Sequence, residues 1–311
     1  EYGKLALATG ARVRFLPLPG AELKGVLYLR DLADSKTLKE RAESAQSVAV
    51  IGGGFIGLEI AASMKSLGKE VTVIEAADRL MARAVGQEVS AFYAAQHRAQ
   101  GVDVKLSCSV EKLEGNAKGA VSAVVTAEGR VAADLVVVGI GVQPNVELAA
   151  EAGVDCPNGI AVDVFARTHD ADILAAGDCA FHPNTWANGG EGGMVRLESV
   201  QNAADQARTA GAMIAGEEKP YESVPWFWTD QFDIKMQMVG LSQCHDRTVL
   251  RGAPEEGKFS VFYFRGKRLL AIDSINRPAD HIAGRKLLSA RRSPTFEQAA
   301  DEALPLKSLL D

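Results

Sequence analysis

One short glycine cluster constrains this chain more than any other feature. Gly52-Gly53-Gly54-Phe55-Ile56-Gly57 follows an apolar run at 47–52 and opens a helical pattern that starts at Phe55 and stops at Gly68. A second apolar run, 71–75, ends on Glu75. Strand, turn, helix and strand in this order form a βαβ unit with two buried parallel strands. The glycines supply G-x-G-x-x-G, and each has a physical task. Gly52 permits the tight turn, Gly54 lets a pyrophosphate approach the backbone, and Gly57 lets the helix pack on the strand. The helix then offers unpaired N–H groups and the positive end of its dipole to the phosphates. Glu75, at the end of the second strand, can accept from a ribose 2′-OH and would repel a 2′-phosphate. The pattern therefore favours NAD over NADP, the alternative being a glycine-rich turn without a ligand.

The chain around this unit is long enough for two or three domains at ~150 residues each. Its 311 residues are 47% apolar and 24% charged, enough to bury a core. No apolar run nears the ~20 residues that span a bilayer. A net charge of −6 argues against nucleic acid and against an anionic membrane surface. The four cysteines, Cys108, Cys156, Cys179 and Cys244, include no CxxC pair, and such sparse usage suits a reducing cytoplasm. Cys179 and His182 stand three apart with no second pair to complete a metal site, so no metal is expected.

Residues 2–9 read as a strand and 15–25 as a Pro- and Gly-rich connector. A short strand ending at Leu29-Arg30 and a helix to Ser44 lead into the βαβ unit. A helix at 87–100, a strand at 102–106, an antiparallel excursion at 110–113 and 121–126, and a buried strand at 135–139 follow. From Val146 to Val224 the pattern is α/β again, with a strand at 173–176 and a helix at 201–215. After Pro225 aromatic and alternating segments (235–240, 247–250, 259–265, 267–274) and a helix from Ala279 predict an α+β module with a largely antiparallel sheet. This last part, from Trp226 on, carries a net +2 against −8 for the rest, either a solvated surface or a landing site for an acidic partner.

Two further turns sit where ligands of α/β sheets bind. Gly139-Ile140-Gly141-Val142-Gln143-Pro144-Asn145 closes one apolar strand, and Ala176-Gly177-Asp178 closes another. Asp178 could bind a polyol hydroxyl, with Gly177 allowing close approach, or serve as a turn residue. Glu59 either complements the helix dipole or lies near a nicotinamide. Arg83 either touches the adenosine half of a dinucleotide or is a surface arginine.

Ala8-Thr9-Gly10, the G-x-G-x-x-G with Glu75, Gly139-x-Gly141 and Ala176-Gly177-Asp178 occur here in the order found in the two-dinucleotide-domain flavoprotein reductases. Within that group the chain resembles the FAD-dependent NADH:ferredoxin and rubredoxin reductases of bacterial oxygenase systems. The specific matches are Gly-Gly-Gly-Phe-Ile-Gly-Leu-Glu (52–59), Arg-Leu-Glu-Ser-Val-Gln-Asn-Ala (196–203) and Pro-Trp-Phe-Trp-Thr-Asp-Gln (225–231). The resemblance implies an α/β fold of glutathione-reductase type, with parallel Rossmann sheets and a C-terminal α+β domain. It divides the chain into a remnant of an FAD domain (1–14), an NAD domain (15–145), a second FAD segment (146–225) and the C-terminal domain (226–311). The family's first G-x-G-x-x-G would lie ahead of Tyr2, so the numbering is expected to begin inside a longer protein.

The resemblance also implies roles. FAD would be contacted by Thr9, Gly10, Arg30, Gly177, Asp178, Val200 and Trp228, and NAD by Gly52, Gly54, Ile56, Gly57, Glu59, Glu75, Arg83, Gly139 and Gly141. Arg30 could equally be a helix-terminal arginine. Glu59 and Trp228 would be closest to the chemistry, Trp228 on the side of the iron–sulfur partner, with Trp226 structural. Arg208, Arg285, Lys286, Arg291 and Arg292 are docking candidates. NADH would reduce FAD, and single electrons would pass to a ferredoxin or rubredoxin in a cytoplasmic monomer or weak dimer. Other readings are a related flavoenzyme with a different acceptor and a flavin-free NAD-binding fragment. His97, His169, His182, His245 and His281 read as structural, His97 through packing or a local hydrogen bond.

Overall fold

The computed structural model describes residues 2–310. They form two compact units, one of Val13–Gln143 with Thr229–Ile234 and the other of the remaining described residues. In chain order the elements that matter here are β1 (Leu5–Leu7), β2 (Val26–Leu27), α1 (Leu32–Ser44), β3 (Ser47–Ile51), α2 (Phe55–Ser66), β4 (Glu70–Ile74), α3 (Gln87–Ala99), β5 (Val102–Lys105), β6 (Val110–Gly115), β7 (Val121–Thr126), β8 (Gly129–Ala132), β9 (Leu135–Val138), β10 (Ile173–Ala175), α4 (Val200–Ile214), β11 (Trp226–Gln231), β12 (Ile234–Gly240), β13 (Arg247–Ala253), β14 (Lys258–Arg265), β15 (Arg268–Ile275) and α5 (Pro278–Ser289).

The first unit is built on a five-stranded parallel sheet in the order β2-β9-β3-β4-β5. Its central strands are continuous apolar runs because both faces are covered. Val48–Ile51 and Leu135–Val138 are buried throughout. All strands run parallel, but the order of strand addition reverses at β3: β4 and β5 are added on one side of it and β9 on the other. The alternating stretch at 110–132 folds as the expected antiparallel excursion, β6-β7-β8. The strand expected to end at Leu29-Arg30 is confined to Val26–Leu27. There the Arg30 N–H already turns to the Asp34 carboxylate, part of the capping box that starts α1.

In the second unit β1 pairs in parallel with β10. The strand expected over 2–9 is limited to Leu5–Leu7, since Tyr2–Lys4 are exposed and have no strand partner. The C-terminal sheet runs β11-β12-β15-β14-β13. The β12, β15, β14 and β13 pairings are antiparallel. Helix α5 packs Ala283, Leu287 and Leu288 against Phe262, Phe264 and Ile272. Among the described residues no helix is long and apolar enough to cross a membrane.

Candidate functional site

At the reversal point the two glycine turns of the first unit meet. The Gly139 N–H donates to Ile51 O at 2.8 Å, tying β9 to β3 just before the first turn. A Cβ on Gly52 would stand 2.4 Å from Gly139 O, and Gly52 has φ +109°. A Cβ on Gly57 would stand 2.0 Å from Gly52 O. Both positions therefore require glycine for backbone packing alone. Gly54 differs, because a Cβ there would meet nothing within 4 Å. It is the N-cap of α2 and supplies no side-chain cap. The helix thus begins without a side-chain cap and with open space beside Gly54, an arrangement suited to a phosphate. Ile56 is exposed beside it.

Glu75 follows β4 beside the first glycine turn. Its Oε2 accepts from the Gly53 N–H at 2.6 Å and its Oε1 from the Ala77 N–H at 2.7 Å. The carboxylate is thereby pinned to the glycine turn, with lone pairs left for a diol. The exposed Arg83 reaches along the second turn, its Nη2 3.5 Å from where a Gly141 Cβ would be.

Glu59, one helical turn into α2, is half-buried. Its Oε1 accepts from the Thr229 hydroxyl at 2.5 Å. Burial raises its pKa, the Thr229 bond acts in the opposite sense, and neighbouring Asp230 adds to the rise. Behind Thr229 lie Gln231 and His97. Gln231 Nε2 donates to Thr229 Oγ1 at 3.2 Å, and His97 Nε2 meets Gln231 Oε1 at 2.8 Å. Thr229, Gln231 and His97 are buried. Of the two readings for His97, packing fits its full burial against Phe232, while its hydrogen-bond partner is not local but 134 residues away. Burial lowers the His97 pKa, opposed by the Gln231 bond.

The second unit gathers a different set. Gly177 follows β10 with φ +85°, and its N–H donates to Gln206 on α4 at 2.8 Å. Asp178 comes next, its carbonyl accepting from Arg196 at 3.2 Å. Val200 opens α4 and is 68% exposed despite its apolar side chain. Ser199 caps the helix through the Asn202 N–H. The two segments 196–203 and 225–231 are locked together, since the Trp226 N–H donates to Gln201 Oε1 at 3.2 Å. Trp228 is 38% exposed, with its ring 5.5 Å from that of the half-buried Trp226. Arg285 lies over Trp226 at 4.8 Å.

Other expected residues are committed locally. Thr9 Oγ1 donates to Asn145 O at 2.6 Å and Asn145 Nδ2 returns a bond to Thr9 O. The Asn145 N–H donates to Gly10 O. These bonds join two of the motifs by structure alone. Arg208 pairs with Asp205, and Arg292 donates to Leu309 O, while Lys286 and Arg291 are exposed. Arg30 sits at the start of α1 in the first unit. Thr229 and Gln231 were not singled out by sequence reasoning, although two polar residues at i and i+2 of an aromatic strand share one face.

A parallel sheet with two glycine turns at its reversal point, an uncapped helix start and an acid on the next strand defines a Rossmann-type dinucleotide-binding protein. The comparisons narrow that class. Residues 1–207 match the pyridine nucleotide-disulphide oxidoreductase family, and residues 226–310 match the reductase C-terminal family. Rhodocoxin reductase of Rhodococcus erythropolis is 49% identical over 308 residues, covering 99% of this chain and 71% of the relative. The ferredoxin reductase for the CYP199A2 system from Rhodopseudomonas palustris superposes with a TM-score of 0.96 at 45% identity, covering 100% of this chain and 76% of that one. The covalent putidaredoxin reductase–putidaredoxin complex gives a TM-score of 0.95 at 38% identity, with 100% and 75% coverage. The chain belongs to the pyridine nucleotide-disulphide oxidoreductase family.

Proposed function

We propose that this protein is a flavoprotein reductase that takes electrons from NADH and delivers them to a small iron–sulfur protein, a ferredoxin or rubredoxin, serving an oxygenase. Bound FAD would supply the chemistry, accepting a hydride and releasing single electrons. In this reading the protein binds, orients and tunes.

The first unit takes the nucleotide. The uncapped start of α2 at Gly54 receives the pyrophosphate, Gly57 and Gly52 keep the helix close to β3, and Glu75 accepts from the ribose diol. Ile56, Arg83, Gly139 and Gly141 line the same mouth, with Glu59 at the nicotinamide end. Glu75, already an anion held by two N–H groups, selects against a 2′-phosphate by charge. The second unit fits the polyol and ring of a flavin. Asp178 offers a carboxylate to hydroxyls beside the Gly177 turn. Val200 exposes an apolar surface at the N-terminus of α4, where the helix dipole favours negative charge. Thr9 and Gly10 shape the backbone beside β10, with their bonds to Asn145 keeping them rigid. Arg30 is the one expected flavin contact carried by the first unit.

A single observation carries the electron-transfer reading. The Gln201–Trp226 bond fixes the flavin-facing helix to the strand that holds the exposed Trp228. An aromatic ring at that place serves a protein acceptor better than a small molecule, and the similarity to a reductase solved as a complex with its redox partner supports the same direction. The cationic Arg285, Lys286, Arg291 and Arg292 suit an acidic partner. The test is anaerobic stopped-flow. Flavin-loaded protein reduced with NADH is mixed with a [2Fe–2S] ferredoxin or with rubredoxin. Rapid carrier reduction supports the proposal; flavin that bleaches with NADH but passes no electrons to either carrier rejects it.

A further inference from the structure

Behind Glu59 the hydrogen bonds run in one direction, and the chemistry of the groups dictates which. An ionised carboxylate can only accept, so the Thr229 hydroxyl must donate to Glu59 Oε1. The single Thr229 proton is then spent, and its oxygen can accept only from an N–H. Gln231 supplies one through Nε2. The Gln231 carbonyl is left facing His97 Nε2, which must carry the ring proton. His97 Nδ1 is then an unprotonated acceptor, consistent with its having no partner among the described residues. All three donors point toward Glu59, and the three residues behind the carboxylate are shielded from solvent: His97 and Gln231 are 0% exposed and Thr229 is 1% exposed. Burial holds His97 neutral rather than cationic. Ser63 donates to the Glu59 backbone carbonyl, and no other hydrogen bond to the Glu59 carboxylate arises among the described residues, so Oε2 is left to accept from outside.

We propose that Thr229, Gln231 and His97 are positioning residues that lock Glu59 in one rotamer as an anion, with Oε2 presented to an amide N–H donor, the carboxamide of the nicotinamide ring. The proposal rests on the assignment of Glu59 to the nicotinamide end. The geometry explains a cost that would otherwise be unrewarded. Half-burying a carboxylate beside Asp230 opposes its ionisation, and a directed row of donors offsets that penalty. An alanine-like partner in place of Thr229 would leave the carboxylate mobile or protonated.

The experiment uses flavin-loaded protein and single-turnover reduction by NADH, followed against NADH concentration so that affinity and limiting rate separate. Thr229→Val keeps the shape and removes the hydroxyl. The expected result is a combined loss of about 10-fold, the size associated with one hydrogen bond to a charged group. Thr229→Ser restores the rate to within about 2-fold, and Gln231→Leu reproduces much of the loss. Oxidation of the pre-reduced protein by the carrier stays within about 2-fold in every variant. In a Glu59→Gln background Thr229→Val adds almost nothing, because the two act as one unit. If Thr229→Val reduces flavin as the parent does, or if its effect is undiminished without Glu59, the relay is wrong. If Glu59→Gln is slow while Thr229→Val and Gln231→Leu are normal, only the relay falls. Should Glu59→Gln itself behave as the parent, the nicotinamide-side assignment fails and the relay with it.

Discussion

Two glycines three residues apart do opposite work, and a pair of alanine substitutions separates them. At Gly57 a Cβ would lie 2.0 Å from Gly52 O, a backbone atom that cannot swing aside. Ordinary contact needs roughly 3.4 Å, so α2 must retreat by more than an ångström from the β3 turn, an overpacking cost of about 1–3 kcal/mol. The better helix propensity of alanine returns up to ~1 kcal/mol. Gly57→Ala should therefore lose on the order of 1–2 kcal/mol of stability and, because the helix start moves, NADH affinity as well. At Gly54 a Cβ meets nothing, and φ −82° with ψ −177° suits any residue. Gly54→Ala should stay within about 0.5 kcal/mol of the parent. Yet a methyl there stands where a phosphate would meet the helix N–H groups. Losing one or two charge-assisted bonds at ~1.5–3 kcal/mol each weakens binding by ten-fold or more. Thermal unfolding gives the first quantity, and anaerobic NAD⁺ titration by protein fluorescence gives the second without turnover. Parent-like affinity in Gly54→Ala would refute the phosphate site, and parent-like stability in Gly57→Ala would refute the packing argument.

Three further outcomes follow from the same geometry. Glu75→Ala frees the Gly53 and Ala77 N–H groups and removes the diol acceptor, so NADH use should fall by about 10-fold. Glu75→Arg should move the NADH:NADPH rate ratio toward NADPH, and an unchanged ratio in steady-state kinetics would reject the role of Glu75. Trp228→Ala should slow carrier reduction several-fold while leaving flavin reduction by NADH intact; equal slowing of both half-reactions would place the ring elsewhere. His182 is 2% exposed and burial pushes its pKa down to about 4 from 6.5. Its folded pKa is depressed, so the stability it permits is complete above pH 6.5 and is lost as pH falls toward 4, to a limit of ~3 kcal/mol. His182→Phe, which keeps the edge contact to Tyr221, should lessen the slope of the urea midpoint between those pH values, the buried His281 contributing the remainder, and a slope equal to the parent's would show that His182 does not titrate there.

The parts of the fold most legible in sequence were those where one constraint acted alone. β3, α2 and β4 came out almost to the residue because apolar continuity and glycine spacing have no competing explanation in the chain. Strand ends were less legible where a neighbour's side chain decides them. The Asp34 carboxylate takes the Arg30 N–H and ends β2 early. Thr9 carries the same ambiguity in function: its hydroxyl could face a ligand or the backbone, and the partner that settles it, Asn145, lies 136 residues on. Periodicity reports which face is buried but not what stands on the other side of it.

Strand β11 shows that limit most clearly. Its burial alternates, with Thr229 and Gln231 buried and Trp228 and Asp230 exposed, although Trp-Phe-Trp-Thr-Asp-Gln shows no alternation of residue type. Aromatic weight draws attention to Trp228, while nothing in the sequence marks Thr229 and Gln231. Buried polar groups need partners, and two of them in succession on one strand face require a polar column opposite. Glu59 and His97, both helical and both otherwise explicable, are the groups that meet that demand, yet neither carries a spacing that links it to residue 229 or 231. If the proposed function holds, one six-residue strand serves two ends of the same reaction. Its outward Trp228 would meet the redox partner, and its inward Thr229 holds the Glu59 carboxylate directly, with Gln231 acting through Thr229. Substitutions at even positions of the strand should therefore perturb acceptor chemistry, and those at odd positions the reduction by NADH, a division that alternation alone enforces.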